Sequence, residues 1–387
     1  MDFALNDEQL AFQDSARVFA ARELAPHAAR WDADSEFPLA TIRQAGEMGF
    51  LALYTPENRG GLGASRLDSS LVFEALSHGC TATTAYLTIH NMATWMLASF
   101  ASDELCDQYC PALVSGELLA SYCLTEPNAG SDAAALATRA QLDGDQYVLN
   151  GSKAFISGAG ATDLLLVMAR TGGAGAGGIS AFAVPANTPG VSFGRKEAKM
   201  GWNAQPTGAI NFDNVRIPAS HLIGEEGKGF TYAMKGLDGG RLNIAACSLG
   251  TAQAALEHSQ AYLQERQQFG RPLADFQALQ FKFADMATEL VAARQLLRLA
   301  AWKLDQQDPE ATTYCAMAKR FATDAGFSIC NEALQIYGGY GYIREYPLER
   351  HVRDTRVHQI LEGTNEIMRL IIARRLLVSL PVNSLIY

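Results

Sequence analysis

No run in this 387-residue chain approaches the eighteen or so consecutive apolar residues that a membrane-spanning helix needs. Cysteine is sparse. The seven, at positions 80, 106, 110, 123, 247, 315 and 330, include no CxxC pair and make an odd total, so neither a disulfide framework nor a zinc ribbon is expected and a reducing compartment is. No HExxH occurs: His27, His78, His90, His221 and His258 have no neighbour at ligand spacing, and His351 and His358 lie seven apart. All seven histidines are therefore expected to be structural. Without a GxSxG elbow, serine hydrolysis has no foothold. Positive charge is also short, with 31 Lys and Arg against 41 Asp and Glu for a net −10, the wrong sign for holding nucleic acid by phosphate neutralisation. The opening MDFALNDEQLAF is acidic and amphipathic, unlike a basic-then-apolar signal. A cytoplasmic protein is expected, and a matrix protein whose transit peptide had been removed would look the same.

What is present is a large interior. Apolar residues make up 48% and charged residues 19%, which argues against extensive disorder, and the length favours two or three packed units. Residues 1–120 read as an all-helical unit: Asn6 and Gln9 form a candidate capping box for a helix that stops near Pro26, and helical stretches follow at Leu39 to Met48, Leu67 to Ser77, Thr83 to Ala98 and Asp103 to Val114. Residues 121–229 change period. Short strands at Thr138 to Leu142, Tyr147 to Leu149, Lys153 to Ile156, Leu164 to Ala169, Ile179 to Val184 and Ala209 to Phe212 are separated in part by the turn pairs Asp143-Gly144 and Asn150-Gly151. About six strands without intervening helices predict a compact antiparallel sheet or small barrel. Residues 230–387 return to long helical patterns at Leu242 to Gln264, Phe276 to Asp305, Ala311 to Ile336 and, interrupted, Pro347 to Leu377, which suits an antiparallel bundle. The fold class is α+β.

Four motifs carry candidate chemistry. Gly173, Gly175 and Gly178 satisfy GxGxxG, but the third glycine leads into a strand rather than opening a helix onto a pyrophosphate, so a hairpin loop is expected. The segment YCLTEPNAGSDAAA, Tyr122 to Ala135, can offer main-chain N–H groups to a heterocycle or phosphate, although a domain-connecting turn would read the same. Gln335 to Gly341 places three glycines with aromatics after a long helix, more than one helix stop requires, and fits a backbone lying against a ligand or another subunit. Glu362 sits at a break where Gly363 ends one helix and Thr364 or Asn365 caps the next. Most helix-end glutamates are solvated charges. Here Ile360, Leu361, Ile367 and Met368 surround it, and an apolar setting raises a carboxyl pKa and makes a stronger base.

Together these strings resemble the acyl-CoA dehydrogenase family of flavoproteins over nearly the whole chain, through CLTEPNAGSD at 123–132 and through Gln335, Gly338, Gly339, Gly341, Glu345 and Arg350 to Asp354. KAFISGAG at 153–160, GWNAQPT at 201–207, Gly239-Gly240-Arg241 and VHQILEGTNEIMR resemble its isobutyryl-CoA-type branch. The resemblance implies an N-terminal helical domain, a middle antiparallel β-barrel-like domain and a C-terminal four-helix bundle. It implies FAD, with Tyr122, Cys123, Leu124, Thr125, Gly130, Ser131, Phe155, Ile156 and Ser157 lining the isoalloxazine. Arg266, Phe276, Gln277, Gln335, Gly338 and Gly339 would hold the pyrophosphate and adenosine across a subunit boundary, and Thr364, Asn365 and Glu366 would meet the cofactor again. Ser131, Asp238, Gly239, Gly240, Arg241 and Arg374 match positions that touch the acyl-CoA. Glu362 matches the catalytic base.

Phe155 departs from the tryptophan common in straight-chain members, and Leu361 from their tyrosine, a change connected with a branched acyl group. The implied reaction removes an α-proton to Glu362 and a β-hydride to flavin N5, converting isobutyryl-CoA to methacryloyl-CoA in valine breakdown. Implied partners are electron-transfer flavoprotein and a homotetramer; a metal, nucleic acid and a membrane are not expected. Butyryl-CoA or 2-methylbutyryl-CoA as substrate, a flavin oxidase or monooxygenase on the same scaffold, and a non-catalytic acyl-CoA-binding protein are the competing readings.

Overall fold

The computed structural model describes residues 4–378, so the first three residues of the first expected unit and the last nine of the third lie outside the described residues. Asn6 opens α1 (Asp7–Phe19): its side chain accepts from the Gln9 N–H at 2.8 Å, and its own N–H donates to Gln9 Oε1 at 3.2 Å, the capping box read from the sequence. The helix then widens into a π-helical turn, Ala20–Leu24, before Pro26. α2 (Ala28–Asp34), α3 (Leu39–Glu47), α4 (Arg66–Gly79), α5 (Thr81–Phe100) and α6 (Asp103–Ser115) follow. Ser65 and Ser102 cap α4 and α6 by accepting from Asp68 and Leu105 N–H groups. α5 is buried on nearly every face, and His90 and Asn91 on it satisfy main-chain groups at Leu113, Ala120, Leu53 and Phe50.

The middle of the chain forms one eight-stranded sheet from β1 (Ala120–Cys123), β2 (Arg139–Asp143), β3 (Gln146–Ser157), β4 (Leu164–Arg170), β5 (Ile179–Pro185), β6 (Val191–Phe193), β7 (Thr207–Pro218) and β8 (Leu222–Ile223). The Asp143-Gly144 turn is present, with Asp143 paired to Gln146. The Asn150-Gly151 turn is not. Strand β3 runs straight through it against β7, and the two residues form a bulge where the register shifts between Leu149 and Gly151. Gly151 is still required there, because a Cβ would stand 2.5 Å from Thr138 Oγ1. Most pairings are antiparallel, but β1 joins β4 in parallel, Ala120 beside Leu164 to Cys123 beside Val167. Alternation along β4 divides it between two cores: Leu164, Leu166 and Met168 pack against Met96, Leu97 and Leu105 of α5 and α6, while Leu165 and Val167 face Tyr147, Phe182 and Phe212. The Gly173 to Gly178 segment is a hairpin between β4 and β5, pinned by the Arg170 guanidinium on Gly173 and Gly175 carbonyls.

The last part contains α7 (Gly229–Glu265), a small hairpin of β9 (Gln267–Gln268) and β10 (Arg271–Pro272), α8 (Gln277–Asp305), α9 (Ala311–Tyr337), α10 (Leu348–Arg356) and α11 (Asn365–Val378). α7 begins thirteen residues before the expected Leu242, because its glycines act as contact points rather than helix breakers. A Cβ on Gly229 would meet the Ser180 carbonyl carbon at 2.3 Å, and one on Gly250 the Glu74 carbonyl oxygen at 2.0 Å. Phe19, Trp31 and Tyr86 share one apolar cluster with Leu242, Leu249, Ala318 and Ile329, so the first helices and the bundle close on each other around α7. The seven cysteines are free and buried. Among the described residues, no helix is long and apolar enough to cross a membrane and no acidic, His or Cys cluster could hold a metal.

Candidate active site

After α10 the chain makes a 3-10 turn, Val357–Gln359, and then two successive left-handed residues, Glu362 with φ +55° and Gly363 with φ +85°. Thr364 restarts the helix, its Oγ1 accepting from the Ile367 N–H at 3.3 Å. From α9, the Lys319 ammonium donates to the Gly363 carbonyl at 2.7 Å and to Asn365 Oδ1 at 2.9 Å. Glu362 as a whole is half-buried, but Oε2 of its carboxyl is inaccessible and has no hydrogen-bond partner among the described residues. It rests against α7, where a Cβ on Gly240 would lie 2.5 Å from it. Burial raises this carboxyl from 4.5 to about 7, against the opposing pull of Arg241 and Lys319.

The walls around that carboxyl come from four helices. Met92 Sδ would lie 3.2 Å from the same Gly240 Cβ, and Met92 and Trp95 also face Gly236. The Arg66 guanidinium lies 3.5 Å above the Tyr54 ring and 5.1 Å from Trp95, and it packs on Gly239, where a Cβ would meet Nη1 at 2.4 Å. Tyr54 accepts from Asn243 Nδ2 at 3.1 Å and feels the charges of both Arg66 and Glu362. Arg241 is buried and donates to Asp238 Oδ1 at 2.5 Å, while Asp238 Oδ2 accepts from Thr312 at 2.8 Å. Sequence reading missed Tyr54, Arg66, Met92, Trp95 and Lys319, since each belongs to an unremarkable helical or loop stretch and reaches the site only through packing.

Tyr122 on β1 completes this side. Burial holds its phenol well above the usual range, and the Glu362 charge adds to that shift. The following loop is anchored by a buried ion pair. Lys153 Nζ donates to Glu126 Oε1 at 2.7 Å and to the Leu124 carbonyl at 3.1 Å, and Glu126 also accepts from the Ala137 and Thr138 N–H groups. Thr125 and Ser157 are half-buried, Gly130 and Ser131 exposed. Phe155 is 70% exposed with φ +57°, at the point where β3 shifts register against β7. Three residues expected at the ring do not present side chains to it. Cys123 and Ile156 point into the sheet core and Leu124 into the core shared with α5, because strand alternation and packing turn them inward, leaving only main chain for a ligand.

Arg266, Gly338 and Gly339 meet in a groove of about 400 Å³ with Tyr262, Leu273, Tyr337 and Tyr340, and the Arg266 guanidinium lies 5.6 Å from the Tyr340 ring. Phe276 stacks under Arg271 at 4.1 Å, Gln277 and Gln335 are exposed, and so is Arg374 on α11. Two more expectations need correction. The Asn365 amide is consumed internally, donating to Thr323 Oγ1 at 2.9 Å and Asp324 Oδ1 at 2.7 Å, and Gly239 is covered by Arg66. Glu366 is exposed. The remaining residues fit a flavin dinucleotide. Among the described residues nothing lies within 4 Å of a Cβ on Gly130 or Gly339, so this chain's own packing does not demand glycine there, and a bare main chain is left for a planar ring at one end and a diphosphate near Arg266 at the other.

Comparison with known proteins agrees with this geometry. Models described as acyl-CoA dehydrogenase N-terminal, middle and C-terminal domains match residues 6–117, 121–215 and 227–377. The chain is 54% identical to mitochondrial isobutyryl-CoA dehydrogenase of Bos taurus and 51% identical to that of Dictyostelium discoideum, in each case over 96% of this chain and 90% of the relative. The solved butyryl-CoA dehydrogenase of Megasphaera elsdenii superposes with a TM-score of 0.94 at 39% identity, covering 97% of this chain and all of that one. With its helical, β and helical parts in this order and a buried carboxyl between them, the chain belongs to the acyl-CoA dehydrogenase family of FAD-dependent oxidoreductases.

Proposed function

We propose that the chain introduces an α,β-double bond into a short branched acyl-CoA, isobutyryl-CoA before others, with Glu362 as the base. The observation that carries this reading is the Glu362 carboxyl, buried, without a partner among the described residues and raised to about 7. An α-C–H beside a thioester is too weak an acid for a carboxylate of ordinary pKa, near 4.3, to remove quickly, and a general base works best with a pKa near the working pH. Conversion of isobutyryl-CoA to methacryloyl-CoA delivers one proton from Cα to Glu362 and a hydride from Cβ. Acceptance of that hydride is the chemistry FAD supplies when bound.

Tyr122, Cys123, Leu124, Thr125, Gly130, Ser131, Phe155, Ile156 and Ser157 are the proposed ring contacts, several through main chain alone, and Arg266, Phe276, Gln277, Gln335, Gly338, Gly339, Thr364 and Glu366 the proposed dinucleotide contacts, with Asn365 kept only for its main chain. Ser131, Asp238, Gly240, Arg241 and Arg374 are kept for the acyl-CoA. The division into units 1–120, 121–229 and 230–387 is kept as well.

The branched preference rests on the isobutyryl-CoA dehydrogenase names of the two relatives above 50% identity and on Leu361 beside the base. Electron-transfer flavoprotein is the proposed electron acceptor, and the mitochondrial relatives suggest the matrix as one compartment. Assembly into a tetramer is supported by Phe281, Val291, Leu299 and Trp302, all exposed on one face of α8 within an arc of about 80°.

The deciding experiment is an anaerobic titration of the yellow holoenzyme with linear and branched acyl-CoAs of three to eight carbons. Fastest bleaching by isobutyryl-CoA is the expected result. One methylene in an apolar pocket is worth about 1–3 kcal/mol, so 2-methylbutyryl-CoA and butyryl-CoA should follow at reduced rates. A spectrum that no short acyl-CoA bleaches overturns the reading, and rapid oxygen consumption that ignores electron-transfer flavoprotein replaces it with an oxidase.

A further inference from the structure

Lys319 is fully buried in the middle of α9, and both of its hydrogen bonds go to the segment that follows the proposed base. One acceptor is the carbonyl of Gly363, next in sequence to Glu362. The other is the Asn365 side chain, which α9 grips a second time through Thr323 and Asp324. Glu362, just before the first of these anchors, and Gly363, which carries it, are both left-handed. A non-glycine residue holds that conformation only where its surroundings over-determine it, and the Lys319 and Asn365 contacts are those surroundings.

Neither acceptor is charged, so among the described residues the ammonium has no ion pair of its own. Burying such a charge is costly unless an opposite charge lies near. The charged and titratable groups that face it are Glu362 on the turn, Glu366 on α11, Asp324 on its own helix, Arg241 on α7 and His358 before the turn. Asp324 already receives Arg320, Arg369 and Asn365, and Glu366 is exposed. That leaves the Glu362 carboxyl as the buried acid that this charge acts on. His358, buried and held neutral, is fixed between Ser248 at 2.6 Å and Trp202 Nε1 at 3.2 Å, and offers no competing charge.

We propose that Lys319 is a positioning residue for the reaction: it holds the Glu362–Gly363 turn in its left-handed form and sets a positive charge behind the carboxylate that takes the α-proton. The proposal rests on the reading of Glu362 as base. A substrate that fills the slot removes water from the carboxyl and drives it toward its neutral, inactive form. A cation on the protein side opposes that drive without occupying the lone pairs of Oε2 that must receive the proton. An ion pair made directly to Oε2 would occupy them, and none is present among the described residues.

The test measures kcat/KM for isobutyryl-CoA from pH 5.5 to 9.5 in FAD-loaded wild type, Lys319→Arg, Lys319→Met and Glu362→Gln. Lys319→Met should move the acid limb upward by about one pH unit, the shift expected when an opposite charge several ångströms away is lost, and should regain part of its lost rate at high pH. Lys319→Arg should keep the limb in place. A lysine that merely fills space would lower activity or melting temperature without moving the limb, so an unshifted limb in Lys319→Met overturns the proposal. Should that variant not fold, Asn365→Asp sets a carboxylate where the amide oxygen now accepts from the ammonium at 2.9 Å. It cancels the charge with the lysine retained, and again an unmoved limb overturns the proposal. Glu362→Gln separates the two ideas. If it retains the wild-type rate, the base assignment fails; if it loses about a thousandfold while Lys319→Met leaves the limb unmoved, the base stands and the lysine's role falls.

Discussion

Gly240 is the notch into which the Glu362 carboxyl fits: a Cβ built on Gly240 would stand 2.5 Å from Glu362 Oε2. The atom in the way is the far end of a flexible side chain, so α7 would survive the added methyl and the carboxyl would move. Gly240→Ala should therefore fold with unchanged or slightly raised stability, since alanine gains about 0.5–1 kcal/mol over glycine inside a helix. Its kcat should fall at least about tenfold, because displacement of a reacting group by even one ångström can cost more than that. Thermal melting beside steady-state kinetics checks both, and full activity in the variant would disprove the contact.

The same carboxyl makes stability depend on pH. Its folded value, about 7, lies above the usual 4.5, so the folded state holds this proton more tightly than the unfolded chain. Its contribution is complete below about pH 4.5 and is lost as pH rises through 7. Glu362→Gln removes the effect and should stabilise the protein at pH 8 relative to wild type by no more than about 3 kcal/mol, with little difference at pH 5. Melting curves at the two pH values decide it, and an equal change at both would show that the carboxyl is not perturbed.

Lys153 and Glu126 tie β3 to the loop after β1. Burial pulls the Lys153 ammonium down from its ordinary value. Burial also presses the Glu126 carboxyl upward, but Lys153 and the Ala137 and Thr138 bonds outweigh it and hold the group low. Removing either partner leaves a buried charge unpaired, a loss of about 3–5 kcal/mol. Lys153→Met and Glu126→Gln should each lower stability by that order, and the double variant by less than the sum. Urea unfolding of the full cycle measures the coupling, and additive losses would show that the pair is not coupled.

Phe155 is left-handed and mostly exposed. A large L side chain in that region costs roughly 1–2 kcal/mol, and exposure returns nothing to the apoprotein in packing. Phe155→Gly should leave apoprotein melting unchanged or higher while weakening FAD at least about tenfold, read by flavin fluorescence titration. Loss of apoprotein stability with unaltered FAD affinity would place the ring's role in the fold instead.

Periodicity located the helices and strands because each repeats its apolar positions locally: the Asn6–Gln9 box, the α8 and α9 patterns and the Asp143-Gly144 hairpin stand where the chain places them. It failed where a residue's conformation was set from outside its own segment. Asn150-Gly151 carries a turn signature, yet β7 continues alongside and converts the pair to a bulge. The helical pattern is legible only from Leu242, yet α7 starts at Gly229, and Arg66 and Glu362 fill the spaces that Gly239 and Gly240 leave. Asn365, expected to face a cofactor, is drawn inward by Thr323 and Asp324.

Glu362 could be singled out from the sequence alone, since an acid at a helix break among apolar residues and inside a long family string is a local property. The distant groups that tune it could not. A carboxyl becomes a base through the low-dielectric, unpartnered position of one oxygen and through charges on Arg241 and Lys319, residues 121 and 43 positions earlier in the chain (362 − 241 and 362 − 319). Local order along the backbone fixes which elements form. The field at a buried atom is a sum over neighbours in space, and only the closed packing of α5, α7 and α9 determines which neighbours those are.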